Sequence, residues 1–195
     1  LILGGAAPAV AAPTTISSVD FEDGTTGAWT RSGGTDSTLR VIDLDGGKVL
    51  EVTDRDADFV GIQTPSGIFE AEQTFDFSLR IRLAPGTPDT SARLVMKPAY
   101  TWIGNTPVTA SGWTTITGSY TAAAGDASGL QAYIGTSDIA GTPAYSYYID
   151  DIVVTTEAAS GGGEEPGAPQ PGDVLIDTDF DSGDLDGWTA RAGSD

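Results

Sequence analysis

Residues 75–83 read Phe75-Asp76-Phe77-Ser78-Leu79-Arg80-Ile81-Arg82-Leu83. Phe75, Phe77, Leu79, Ile81 and Leu83 alternate with Asp76, Ser78, Arg80 and Arg82. A period of two is that of a β-strand, whose successive side chains point to opposite faces. One face therefore meets a core, and the other meets water or a ligand. Pro85-Gly86 ends the run. Working outward, residues 92–97 alternate again, with Leu94 and Met96 inward and Arg93 and Lys97 outward. Residues 113–121 and 130–134 read as further strands, each entered after a glycine. YYIDDIVVT, residues 147–155, closes the unit, and the only helix-like stretch, 68–73, is one or two turns at most. Many short strands separated by Gly, Pro and Asp turns predict an all-β fold, a β-sandwich of the jelly-roll kind.

Composition narrows the chemistry. The chain has no cysteine and no histidine, which removes disulfides, thiolates, imidazole bases and the metal sites built on them. Its 28 acidic and 9 basic residues give a net charge of −19. Such a chain repels phosphate backbones, and no Lys/Arg cluster offers a foothold on an anionic membrane. The acidity favours solubility, and some carboxylates could hold a hard cation such as Ca²⁺. No carboxylate pair stands out as a glycosidase couple, so this segment is expected to be non-catalytic.

The chain begins to repeat near its end. Asp20-Phe21-Glu22-Asp23-Gly24 and Trp29-Thr30 return as Asp179-Phe180-Asp181-Ser182-Gly183 and Trp188-Thr189, at a constant offset (179 − 20 and 188 − 29 both give 159). That spacing fits whole domains in tandem, an arrangement that suits weak sites acting by avidity. Residues 1–15 are expected to be a residual secretory signal peptide and tail: an apolar stretch is followed by Ala9-Val10-Ala11, with cleavage after Ala11. Residues 16–157 form the module, 158–174 a Gly/Pro/Glu-rich linker, and 175–195 the truncated start of a second copy.

In a jelly roll the first and last strands commonly lie side by side. That would bring Glu22 near Asp150 or Asp151, and carboxylates meeting at a strand edge repel unless a cation joins them. Ordinary turn aspartates are the alternative. Asp177-x-Asp179-x-Asp181 is no EF-hand, because Ser182 and Trp188 stand where Gly and Glu are needed. Among the aromatics, Trp29 and Trp113 read as core or corner residues. Tyr100 and Trp102 fall on one face of a short strand, Tyr133 shares an outward face with Gln131, and Phe59 follows the charged loop 53–58. Exposed aromatics on a rigid β surface suit sugar rings, whose CH-rich faces stack while polar neighbours bind hydroxyls.

The order DFEDG…W, GGKVLEVTDRDADFVG, FDFSLRIRL, GWTTITGSYT and YYIDDIVV resembles the family 22 carbohydrate-binding modules and their relatives in families 4 and 9. The likeness covers residues 19–156. It implies a jelly roll with a structural calcium and a site for β-1,4-xylan or mixed-linkage β-glucan across a concave sheet. Carried over, the sugar contacts fall on Arg31, Phe59, Tyr100 and Tyr133, with Trp102 as a neighbouring candidate. The metal set becomes Asp20, Glu22, Lys48 and Asp151, with Asp150 as the alternative to Asp151 and backbone carbonyls completing it. Three positions depart from the pattern. Arg31 stands two residues after Trp29 where the family has three, Phe59 replaces a Trp, and Gly135 replaces a Glu. The resemblance implies a secreted, monomeric, non-catalytic module that binds a polysaccharide, linked in cis to a second module and to an endo-xylanase. The rival reading is a calcium-stabilised spacer or adhesion repeat without glycan affinity.

Overall fold

A computed structural model describes residues 12–33, 37–126, 129–137 and 144–157. Residues 1–11 of the expected signal peptide, the expected linker and the second copy lie outside the described residues. The described chain is all strand and turn. In order these are β1 (Thr14–Val19), β2 (Thr30–Ser32), β3 (Thr38–Leu44), β4 (Gly47–Thr53), β5 (Gly61–Gln63) and β6 (Thr74–Leu83), followed by β7 (Thr90–Lys97), β8 (Thr101–Val108), β9 (Thr114–Thr121), β10 (Gln131–Thr136) and β11 (Tyr147–Thr156).

Two antiparallel sheets face each other. The first runs β3-β4-β11-β6-β9, with β1 also paired to β11; the second runs β2-β5-β10-β7-β8. The period-two signal of residues 75–83 is realised along the whole of β6: every odd position is buried and every even one half-buried. Phe75, Phe77, Leu79, Ile81 and Leu83 meet Ala92, Leu94 and Met96 of β7 and Ala132 and Ile134 of β10 in one core between the sheets. Burying such side chains supplies about 1.5–3 kcal/mol each, which sets the strand register firmly.

β1 pairs with the C-terminal half of β11, placing the first and last strands side by side. It begins at Thr14, two residues before the expected boundary, because Thr14 and Thr15 still find partners in Thr156 and Thr155. Against β6, β11 carries a bulge between Asp150 and Val153. The extra residue flips the alternation, so Ile149 and Ile152 both reach the core while Asp150 and Asp151 both look outward.

Two expectations are corrected. Residues 68–73 form no helix, only a turn at 71–72 in an irregular stretch; Phe69 packs against Phe75 and Phe77 with centroids 4.9 and 5.9 Å away. Of the two places expected for Trp113, core or corner, the core is excluded. The residue is half-buried outside the first sheet, lying against the guanidinium groups of Arg80 and Arg82 and donating its indole N–H to Asp45. Trp29 is in the core as expected, with its indole N–H donated to Ser17 Oγ.

Candidate functional site

The outer face of the second sheet is built from alternate residues of its strands. Tyr133 pairs with Gln63 on one side and with Val95 on the other, and Val95 pairs with Trp102. Directly opposed residues share a face, so Gln63, Tyr133, Val95 and Trp102 form one row across the sheet. Tyr133 and Trp102 are two strands apart, about 9.5 Å.

Beside this row lies an open cleft of about 420 Å³ lined by Gly33, Phe59, Lys97, Tyr100 and Tyr133. Phe59, Tyr100 and Trp102 are the exposed large hydrophobics among the described residues, at 49, 62 and 60 % exposure, and all belong to this end of the molecule's second sheet or the loops beside it. Large apolar groups kept in water on one side of a protein mark a binding surface more often than chance. Tyr100 does not sit on the same strand as Trp102, as the sequence suggested. It ends the turn before β8, in the left-handed region at φ 56, and this turn carries its ring to the rim.

Phe59 is placed by a buried arginine that no motif or periodicity singles out. Arg55 lies in the loop after β4 and is 4 % exposed. Its Nε donates to the carbonyl of Val60, Nη1 to that of Tyr145, and Nη2 to that of Asp58 and to Thr136 Oγ1. Both neighbours of Phe59 are thus tied to one guanidinium. Gly33 makes room from the other side: at φ 72, a Cβ there would stand 3.2 Å from the Phe59 ring.

Tyr133 carries the deepest ring of the cleft. Burial pushes its phenol pKa up, the neighbouring Tyr100 and Asp58 add to the rise, and Arg93 opposes them. Lys97 stands over the Tyr133 ring, 5.7 Å from its centroid, and donates to Gln63 Oε1 at 2.7 Å. Trp102 has a platform of its own, the Arg93 guanidinium, 3.7 Å from its ring centroid.

Arg31 is exposed on β2, where it pairs with Ile62 beside Thr30, the partner of Gln63, and it is not among the residues that line the cleft. Arg80 lies on the other sheet and does not converge with Lys97, Tyr100 and Tyr133.

The expected metal residues gather elsewhere. Asp20, Glu22, Asp150 and Asp151 line a small cavity outside the first sheet, together with Asp45, Gly47 and Arg80. Glu22 Oε1 accepts the Lys48 backbone N–H at 2.9 Å, while Lys48 Nζ turns away to Asp43. Arg80 forks the two outward aspartates of the bulge, with ion pairs of 2.5 Å to Asp150 and 2.8 Å to Asp151. Burial raises the pKa of Asp150; the N–H of Asp151 lowers it, the Asp151 carboxylate raises it, and Arg80 lowers it. The all-oxygen donor chemistry fits a hard cation. As the side chains lie, no three carboxylates among the described residues stand close enough to hold one, and Arg80 supplies the neutralising charge.

The family model for a carbohydrate binding domain matches residues 14–141, from β1 through the cleft strands. The chain belongs to this family. The carbohydrate-binding domain resembles the xylan-binding domain CBM22-1 of Paenibacillus barcinonensis Xyn10C, with a TM-score of 0.65 and 21 % identity over 78 % of this chain and all of that one. It also resembles the CBM22-1 and GH10 modules of Clostridium thermocellum xylanase 10B, solved with xylohexaose. There the TM-score is 0.62 and the identity 18 %, over 74 % of this chain and 29 % of the other. At such identities the likeness speaks for the fold. In sequence, the domain is 26 % identical to endo-1,4-beta-xylanase A of Thermoanaerobacterium saccharolyticum over 190 residues, 92 % of this chain and 15 % of that enzyme. The chain thus spans under a sixth of the curated relative that it matches.

Proposed function

We propose that the domain binds β-1,4-linked plant cell-wall glycans, xylan first and mixed-linkage β-glucan second, and holds an attached glycoside hydrolase at its substrate. The observation that carries the reading is the cleft. Phe59, Tyr100 and Tyr133, drawn from three separate chain segments, line one open groove, with Gln63 and Lys97 beside them. Flat rings with adjacent hydrogen-bonding groups are what a chain of pyranoses requires. The spacing of Tyr133 and Trp102, about 9.5 Å, is close to the length of a disaccharide, so one extended chain could meet both rings. The spacer reading requires that Arg80, Lys97, Tyr100 and Tyr133 do not converge; Lys97, Tyr100 and Tyr133 share a cleft, while Arg80 lies on the other sheet.

Binding raises the local concentration of substrate for an enzyme in the same chain, and each contact is weak, so affinity is expected in the micromolar range or weaker, on the order of −5 to −8 kcal/mol. The resemblance to xylanases supports a secreted protein and a catalytic domain in cis. The donor chemistry of Asp20, Glu22 and Asp151 supports a structural Ca²⁺, with Lys48, whose N–H meets Glu22, beside it. Affinity electrophoresis in gels holding xylan, mixed-linkage β-glucan or no polysaccharide tests the function. Retardation by xylan is expected, and unchanged mobility in every gel would favour the spacer.

A further inference from the structure

Charge is divided unevenly between the two sheets. The strands of the first sheet carry Asp43, Glu51, Asp76, Asp150 and Asp151 against Arg40, Lys48, Arg80 and Arg82, five acids and four bases. The strands of the second carry Arg31, Arg93 and Lys97, three bases and no acid. In a chain of net charge −19, a binding sheet without a carboxylate is the reverse of what composition alone would give.

Two of these cations flank the cleft row on β7. Arg93 and Lys97 stand on the same outer face on either side of Val95, about 13 Å apart along the strand. Neither has an ion pair among the described residues. Lys97 spends one proton on Gln63 and keeps two. Arg93 is 7 % exposed and gives Nη1 to Ser137 Oγ, while its buried Nε has no partner. A buried guanidinium without an anion is unfavourable and would gain from one. The residue opposite Arg93 across the ladder is Gly135, which brings no side chain. One carboxylate does approach from a loop, that of Asp58, close enough to act on Tyr133.

We propose that this cleft selects acidic glycans, binding xylan substituted with uronic acids in preference to unsubstituted xylan. The inference rests on the xylan reading above and adds the chemical class of the substituent. Lys97 meets the carboxylate directly at the cleft wall, and Arg93 holds the local potential positive behind Trp102. The net negative charge opposes approach at long range, but at 0.1 M salt that repulsion is screened beyond about 10 Å, leaving the nearest cations to decide at contact.

The test compares retention of the 195-residue chain by glucuronoxylan and by the same polymer after its carboxyl groups are reduced to alcohols, at 0.1 and 1 M salt. At the lower salt the acidic polymer is expected to bind roughly threefold to tenfold tighter, the range of one or two partly exposed charge contacts, and the ratio should approach one at the higher salt. Lys97→Gln should lower the ratio. So should Gly135→Glu, which sets a carboxylate opposite Arg93; a Cβ there meets Val95 Cγ2 at 3.4 Å and Asp58 O at 3.8 Å, ordinary contacts that the fold accepts. Equal retention of the two polymers by the unmutated chain overturns this inference alone. Retention of neither overturns it together with the xylan reading.

Discussion

Replacing Arg55 by Lys keeps the charge and most of the volume but removes the planar fork. The guanidinium satisfies four acceptors: the carbonyls of Val60, Tyr145 and Asp58, and Thr136 Oγ1. An ammonium at the end of a shorter stem can reach about two of them, leaving two buried acceptors unmet at about 1–3 kcal/mol each. The expected loss is about 2–6 kcal/mol, a large share of the roughly 5–15 kcal/mol that holds such a domain together. For a domain of this size, about 3 °C per kcal/mol converts this to a fall in Tm of roughly 6–18 °C by calorimetry. Binding should weaken too, measured well below the lowered Tm, because Arg55 holds the residues on both sides of Phe59. Phe59→Ala is the control: with its ring 49 % exposed, it should weaken xylan retention and leave Tm nearly unchanged. If Arg55→Lys melts within about 2 °C of the parent and is retained equally by xylan, the hydrogen-bonded hub is not what positions the cleft loop.

Removal of divalent metal should lower Tm if Ca²⁺ occupies the cavity of Asp20, Glu22 and Asp151. At calcium a hundredfold above Kd, linkage gives about 2.7 kcal/mol, roughly 8 °C, and an unchanged melting curve with chelator would remove the metal from the account. Tyr133, whose phenol pKa is raised by burial, should ionise later than free tyrosine in a 295 nm titration. The sign follows: the folded state holds this proton more tightly than the unfolded chain, so the contribution of Tyr133 to stability is complete below pH ~10 and falls as pH climbs through the raised folded value. A Tyr133→Phe variant whose titration curve matches the parent's would contradict this. Trp102→Ala should weaken binding to long xylan chains more than to short ones, because Trp102 stands two strands beyond Tyr133. Equal losses for both lengths would place Trp102 outside the sugar track.

Much of the fold was legible because its strands are buried on one face only. Along β6 each buried residue is apolar and each outward one polar, so period two is written directly in the letters. The same logic gave the inward Leu94 and Met96 of β7. It failed where a strand is too short to show a period. Three-residue strands such as β2 and β5 carry no such signal, so the face that each of their residues takes is set by pairing that the letters do not show. It failed again for Trp113, since apolar character does not distinguish a core indole from one clamped between Arg80 and Arg82. The exposed aromatics Phe59, Tyr100 and Trp102 could be named in advance, but not which of them share a cleft, because that depends on loops. Arg55 gave no sequence signal beyond its place in a charged loop; its partners include backbone carbonyls, a distant threonine and the Tyr147 ring, invisible until the chain is folded.

The claim that Phe59, Tyr100 and Tyr133 form one glycan site is tested most directly by titration calorimetry with xylohexaose on the parent chain and on Tyr100→Ala. Tyr100 is 62 % exposed, so its removal should not disturb the fold. Loss of one stacking ring should cost about 1–2 kcal/mol, a five- to thirtyfold weaker Kd at unchanged Tm. Equal affinity of the two proteins for the oligosaccharide would mean that the cleft is not where the sugar binds.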